Sequence, residues 1–259
     1  MAFTVGPRAA KAGHRVLVHA QLDSTNSEAL RLARAGERGP LWIVAREQSA
    51  GRGRRGRTWI SAPGNLTASL LLTETLTPAM AATLGFAACI AVHAACAALA
   101  PNVRFNLKWP NDVLANGGKV AGILLESETC GTGLALVAGF GINLAAAPEG
   151  TEFPAVSLAS LGHNVAPEAF FARLSDACAA YLETWRAGQG FGEIRRLWLD
   201  RAQGIGQPIS VRIGGRVESG IFETLDEQGR LMLRTASGSV AVSAGDVYFS
   251  DTATVRATA

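Results

Sequence analysis

Residues 75–103 carry no charged side chain, and a run of that length must either lie inside a protein or cross a bilayer. Alanine dominates it, His93 sits midway, and Pro78 and Pro101 bracket it, which points to a buried core helix. The 259 residues suffice for one large core or for a large domain plus a small one. With 48% hydrophobic and 17% charged residues, the composition is that of a well-packed globular protein, and disorder is excluded.

The formal charge of +3 is unevenly placed. Residues 46–57 hold five arginines and one glutamate, a net +4, so the remainder sums to −1. A broad basic face for coating nucleic acid is absent, and one short arginine cluster needs an explanation. Cys89, Cys96, Cys130 and Cys178 show neither C-x-x-C spacing nor disulfide-scaffold density; they read as buried thiols of a cytoplasmic protein. The first thirteen residues contain no apolar run of signal-peptide length, so neither export nor membrane attachment is expected.

Pattern places a strand at 15–20, then a T-x-x-E capping box, Thr25 with Glu28, opening a helix that ends near Gly36. Strands follow at 41–45 and 66–72, with the Gly/Arg segment 51–57 slung between them, then the alanine-rich helix from about Pro78 to Ala100. Residues 105–109 and 112–115 read as extended, Asn116-Gly117 as a type I′ turn, and 119–126 and 134–142 as further strands. Helical periodicity returns with Phe170, Leu174, Cys178, Tyr181, Leu182 and Trp185, then Phe191, Ile194, Leu197 and Trp198. Gly204 to Pro208 breaks it. The short alternating runs beyond suggest a small β barrel, residues 206–259, appended to a mixed body, residues 1–205.

Four clusters carry chemistry. Gly51-Arg52-Gly53-Arg54-Arg55-Gly56-Arg57 contains G-x-G-x-x-G after a strand, but residues 57–64 read as extended chain and turn, so the dinucleotide reading is rejected. That leaves a glycine-permitted loop of permanent cations with forked donors suited to phosphate and carboxylate. A carboxylate and a phosphate held ~4 Å apart at an effective dielectric of ~20 repel by about 4 kcal/mol, roughly a thousandfold in rate, which several arginines can offset. The alternative is a solvated basic loop or an RNA-binding tract. Second, in Lys108-Trp109-Pro110-Asn111-Asp112 with Lys119, a two-residue hairpin turn puts Asp112 and Lys119 on one sheet face as diagonal neighbours ~7–8 Å apart. Lys119 suits a substrate oxyanion and Asp112 a cation or an incoming amine; a surface ion pair is the bland reading. Third, Asp23-Ser24-Thr25-Asn26 offers more polar groups than one helix cap needs, and Gln48 adds a neutral donor and acceptor. Fourth, Gly139-Phe140-Gly141-Ile142-Asn143 ends a strand as if to admit a nucleotide or to pack closely. His14, His19, His93 and His163 are too scattered for a metal site, and the metal ligands stay unassigned.

In this order and spacing, these clusters, with Glu47 to Trp59 and Gly118 to Glu126 read as whole blocks, strongly resemble biotin protein ligases across nearly the whole catalytic domain. The resemblance implies an α+β fold: a mixed, largely antiparallel sheet packed with helices, of the class II synthetase-like biotin/lipoate ligase type, plus a small SH3-like β barrel. It implies two steps. ATP with Mg2+ and biotin form biotinyl-5′-AMP, and the acyl group then passes to one lysine of a biotin carboxyl carrier protein serving a carboxylase such as acetyl-CoA carboxylase. By the same resemblance Ser24, Thr25, Asn26, Gln48 and Gly51 bind biotin. Arg52, Gly53 and Arg54 close over the adenylate, and Lys119 contacts the biotin carboxylate and the α-phosphate. Trp59, Asn111, Asn143, Arg55 and Arg57 serve the nucleotide, and Asp112 serves the metal or the acceptor lysine. Only 22 residues precede Asp23, too few for a helix-turn-helix domain, so sequence-specific DNA binding is not expected; a homodimer is compatible with the resemblance. Gly118 stands where the family pattern leads one to expect a bulkier residue. The competing readings are a lipoate or octanoate ligase or transferase on the same fold, and a nucleic-acid-binding module using the arginines.

Overall fold

A computed structural model describes residues 2–131 and 133–249; the last ten residues of the expected barrel unit lie outside the described residues. In chain order the elements are α1 (Pro7–Lys11), β1 (Arg15–Leu22), α2 (Thr25–Arg34), β2 (Leu41–Gln48), β3 (Leu66–Glu74), α3 (Pro78–Ala82), α4 (Leu84–Leu99), β4 (Phe105–Lys108), β5 (Asp112–Ala115), β6 (Gly118–Cys130) and β7 (Gly133–Ile142). There follow α5 (Pro167–Trp185), α6 (Phe191–Leu199), β8 (Pro208–Ile213), β9 (Arg216–Leu225), β10 (Leu231–Thr235), β11 (Gly238–Val242) and β12 (Asp246–Phe249).

Seven strands form one sheet in the order β1-β2-β3-β7-β6-β5-β4. Only β1 and β2 run parallel, joined by α2; every other neighbouring pair is antiparallel. Strand β7 shows how the sheet divides its faces. Leu136, Ala138, Phe140 and Ile142 point into the main core, while Ala135 and Val137 point the other way into a small cluster beneath Ala29 and Ala33 of α2. Beyond the N-terminal end of α2, the same outer face of β7 continues with Gly139 and Gly141. A helix covers half of that face and stops; the bare half is where a site can form.

On the core side α4 lies against the sheet and against α5 and α6. It is the uncharged segment, with Cys89, Ile90, Ala91 and Val92 fully buried. Among the described residues, the Pro78–Leu99 stretch is the one helix long and apolar enough to cross a membrane, and it is spent on this core. The expected single helix is interrupted at Thr83, whose hydroxyl donates to the Met80 carbonyl and accepts the Trp185 indole N–H at 2.7 Å. All four cysteines are buried free thiols.

Two local expectations fail for identifiable reasons. The Thr25/Glu28 capping box does not form: Ser24 is the N-cap and no side chain caps the helix. The Thr25 hydroxyl instead donates to Gln48 Oε1 at 3.0 Å, and Glu28 pairs with Arg31. The hairpin has its type I′ turn, with φ of 48° at Asn116 and 86° at Gly117, but its ladder slips: Leu114 faces Lys119 while Val113 faces Ala121. Val120 is thus an extra residue, a bulge pinned from outside the hairpin. The Lys119 N–H donates to the Pro154 carbonyl (2.7 Å), the Val156 N–H to the Lys119 carbonyl (3.0 Å), and the Asn143 N–H to the Val120 carbonyl (2.8 Å).

Strands β8 to β12 form a second, antiparallel sheet, ordered β11-β10-β9-β8-β12. The expected barrel is therefore an open sheet among the described residues: β11 and β12 share no ladder, and β12 stays at an edge beside a cavity that both sheets line. Its core is continuous with the first, and the Trp109 indole donates to the Gly229 carbonyl at 3.1 Å.

The pinned bulge also explains Gly118. A Cβ there would lie 2.6 Å from Val156 Cγ1, so the segment that holds the bulge occupies the space a larger residue needs. Gly118→Ala is expected to destabilise by about 1–3 kcal/mol, and Val156→Ala to recover much of that loss in a double-mutant cycle read by chemical denaturation. Equal losses in both backgrounds would break this account.

Candidate active site

The bare half of the outer face is the floor of a cavity of about 280 Å³, walled by the N-terminus of α2, the loop between β2 and β3, the ends of β4 to β6, the segment after β7 and the start of β12. Glycine shapes the floor. A Cβ on Gly139 would sit 2.2 Å from Asn26 Oδ1, and one on Gly141 would sit 2.2 Å from the Trp59 ring. The strand-end glycines thus admit two of this protein's own side chains.

At one end the polar groups are neutral. Ser24, Thr25 and Asn26 are buried. The Ser69 hydroxyl lies 2.7 Å from Thr25 Oγ1 and 2.6 Å from Asn26 Oδ1, while Asn26 Nδ2 donates to the Leu124 carbonyl and to Glu126. Gln48 Oε1 accepts from the Thr25 N–H, and its amide donates to Ser61. Asp23 turns away to Arg31, whose paired hydrogen bonds hold its carboxyl at about 2.

Charge gathers at the other end. Lys119 Nζ lies 2.7 Å from Asp112 Oδ1 and 5.6 Å from the centre of the Trp59 ring. Asp112 and Lys119 do share a face as diagonal neighbours, as the hairpin parity predicts, and the length of the lysine side chain brings the charges to ion-pair distance. Arg54 is half-buried and donates to Asn111 Oδ1 at 3.0 Å; burial lowers its pKa. Asn143, almost wholly buried, donates to the Lys119 carbonyl and leaves its Oδ1 unpaired beside the cavity.

The arginine loop is folded over this cavity. No helix follows Gly56; Arg52 and Thr58 form an antiparallel bridge instead. Arg52 pairs with Glu126, while Arg55 and Arg57 both pair with Asp246 of β12, each at 2.8 Å. Burial raises the Asp246 carboxyl, but Arg57 and Arg55 outweigh it and hold it below the usual carboxylate range. Of the residues expected here, Ser24, Thr25, Asn26, Gln48, Arg52, Gly53, Arg54, Arg57, Trp59, Asn111, Asp112, Lys119 and Asn143 line the cavity, whereas Gly51 and Arg55 stand outside its lining. Gly51 packs against the Trp59 carbonyl.

Sequence reasoning missed three contributors, Ser69, Asp246 and Phe153, and named Lys108 in its second cluster without giving it a role. Asp246 and Phe153 carry no local signal, since only the tertiary fold brings them here. Lys108 did carry one, a lone charge at the end of a buried strand. It lines the cavity with its ammonium 3.5 Å from the centre of the Phe153 ring. Burial lowers it to about 8, partly opposed by the more distant Asp112, Asp246 and Glu152.

The fold and this arrangement define a biotin/lipoate ligase: residues 18–143 match the Biotin/lipoate A/B protein ligase family and residues 204–250 the Biotin protein ligase C terminal domain. Similar proteins are the biotin--[acetyl-CoA-carboxylase] ligases of Paracoccus denitrificans, 46% identical over 89% of this chain and 98% of that one, and of Mycobacterium tuberculosis, 37% identical over 89% and 87%. The fold is also that of a biotin protein ligase from Aquifex aeolicus solved with biotin and ATP, with a TM-score of 0.78 at 24% identity over 91% of this chain and 99% of that one. The chain belongs to the biotin protein ligase family.

Lys108 tests the energetics of the site. Its folded pKa lies below the unfolded value of 10.5, so its charge opposes folding in full below about pH 8, and the cost fades as pH rises towards 10.5. Lys108→Met is therefore expected to be more stable than the parent at pH 6–7, the gap narrowing above pH 8, in thermal melts across pH.

Proposed function

We propose that this protein joins biotin to a lysine of a biotin carboxyl carrier domain in two steps, through biotinyl-5′-AMP. The observation that carries the reading is one cavity with a neutral hydrogen-bonding end and a cationic end. At the first, Ser24, Thr25, Asn26 and Gln48 suit a neutral ureido ring. At the second, Lys119 and Arg54 suit a carboxylate meeting an α-phosphate, whose mutual repulsion they offset. Arg52, Gly53 and Arg57 complete the lid, Trp59, Asn111 and Asn143 hold the nucleotide, and the closed loop keeps water from the mixed anhydride.

In the first step a biotin carboxylate oxygen attacks the α-phosphorus and pyrophosphate leaves. In the second the acceptor amine attacks the acyl carbon and AMP leaves. Asp112 orients that amine and takes its proton; it comes free for this work when Lys119 turns from it to the phosphate. Magnesium enters with ATP. Among the described residues no three His, Cys, Asp or Glu side chains cluster as a cage.

The acceptor is the biotin carboxyl carrier domain of acetyl-CoA carboxylase, as the names of the relatives suggest, and the reaction belongs to the cytoplasm, where thiols such as the four buried here stay reduced. Residues 1–205 do the chemistry, and the 206–259 unit contributes Asp246, the carboxylate that holds Arg55 and Arg57 in place. Lipoate lacks the ureido group that the neutral hydrogen-bonding end suits, which disfavours it. Nucleic-acid binding by the loop is disfavoured because Arg52, Arg55 and Arg57 already have carboxylate partners.

Mass analysis of a carrier domain incubated with this protein, Mg-ATP and either biotin or lipoate is the direct test: biotin adds one acyl group to one lysine, and addition of lipoate instead refutes the reading. Lys119→Ala should abolish biotin-dependent pyrophosphate release while the circular dichroism spectrum stays unchanged. Arg54→Gly should weaken retention of the adenylate, so that biotin appears on unrelated lysines of a bystander protein; modification confined to the carrier at parental rate would remove the lid role.

A further inference from the structure

The cations of this cavity differ in one respect. Lys119 has Asp112, Arg54 has Asn111, Arg52 has Glu126, and Arg57 has Asp246. The Lys108 ammonium makes neither a hydrogen bond nor an ion pair among the described residues, although the residue is only 6% exposed. It rests on the Phe153 ring, 3.5 Å from the centre, with Phe249 5.6 Å away. A ring face compensates a buried charge only in part. This arrangement costs stability, and a cation kept in a ligand cavity at that cost is placed to receive an anion.

The sheet register says which anion. Gly141 of β7, Gly122 of β6, Asp112 of β5 and Lys108 of β4 are successive ladder partners, a row running sideways across the cavity floor. Lys119 reaches over Gly122, where an added Cβ would touch its Nζ at 3.1 Å. The neutral end lies on the β7 side of Lys119, at Asn26 and Gly139, and Lys108 lies on the opposite side, about two strand spacings or ~10 Å from Gly122. Displacement at phosphorus is in line, so a carboxylate arriving from the β7 side expels its leaving group towards β4.

We propose that Lys108 is a catalytic residue of the adenylation step, the group that receives pyrophosphate. This rests on the biotin-adenylating reading above. A bond forms between a biotin carboxylate oxygen and the α-phosphorus, and the bond from that phosphorus to the α,β-bridging oxygen breaks. The electron pair and the new negative charge go to pyrophosphate, and the ammonium of Lys108 stabilises that charge while keeping its proton. Lys119 and Arg54 remain with the carboxylate and the α-phosphate, so each group of charges has its own cation.

The experiment separates the two half-reactions of Lys108→Met and Lys108→Arg in the full-length enzyme. Biotin-dependent exchange of radiolabelled pyrophosphate into ATP should fall on the order of a hundredfold or more in Lys108→Met, the size expected for one lost charge-stabilising donor. Inhibition by inorganic pyrophosphate should weaken in parallel, and Lys108→Arg should recover part of both. Binding of biotinyl-5′-AMP, by calorimetry, and transfer from the supplied adenylate to the carrier domain should stay within about twofold, since pyrophosphate is absent from both. A loss shared by both half-reactions, or parental exchange, would overturn the proposal. A parent enzyme with no biotin-dependent exchange would instead refute the adenylation reading, so the two failures are distinguishable.

Discussion

The ion pair of Lys119 and Asp112 joins β6 to β5 at the point where β6 carries one residue more than its ladder requires. The two residues share a face and stand a diagonal apart, a span a lysine side chain covers, and their charged ends meet at 2.7 Å. The bulge is held by hydrogen bonds from 154–156 and from Asn143, so the loop that follows β7 fixes the position of the central cation before any ligand binds. Placement of this kind, made in advance by backbone, is what makes a charged group effective in a transition state, because no reorganisation remains at the moment of reaction.

The same economy of charge extends to the lid. Four arginines in seven residues would repel one another in an empty site, and the fold prevents this with Glu126 and Asp246. Asp246 comes from the second sheet, which makes that sheet part of the site and not a separate appendage. Each such pair also gives the loop a defined closed position. Arg55 reaches its partner with φ of 56°, a left-handed conformation that costs a non-glycine residue on the order of 1–2 kcal/mol, and the ion pair to a nearly buried carboxylate opposes that cost.

Local signals were legible and long-range ones were not. The uncharged segment announced a buried helix, Asn116-Gly117 announced its turn, and parity placed Asp112 beside Lys119, because each depends on residues a few positions apart. The capping box failed although its pattern was sound: Gln48 and Ser69, distant in sequence, compete for Thr25 and Asn26 and win. Gly139 and Gly141 announced a close approach but not what approaches, which turned out to be Asn26 and Trp59. Phe153 and Asp246 had no signal, since each acts from another part of the fold.

Lys108 stands between these cases. A lysine at the end of a strand whose inward residues are Phe105 and Leu107 reads locally as a chain end reaching solvent, yet the second sheet and the segment after β7 close over it. Had the protein needed only a filler at this position, an apolar residue would serve the core better, since it brings no desolvation cost. Had it needed an ion pair, Asp112 lies directly across the ladder but is taken by Lys119. The residue that remains is a cation stacked on a ring and denied a carboxylate, and withholding the partner keeps its charge available for a ligand. Structural pairing and substrate binding compete for the same ammonium, and here the fold leaves it to the substrate.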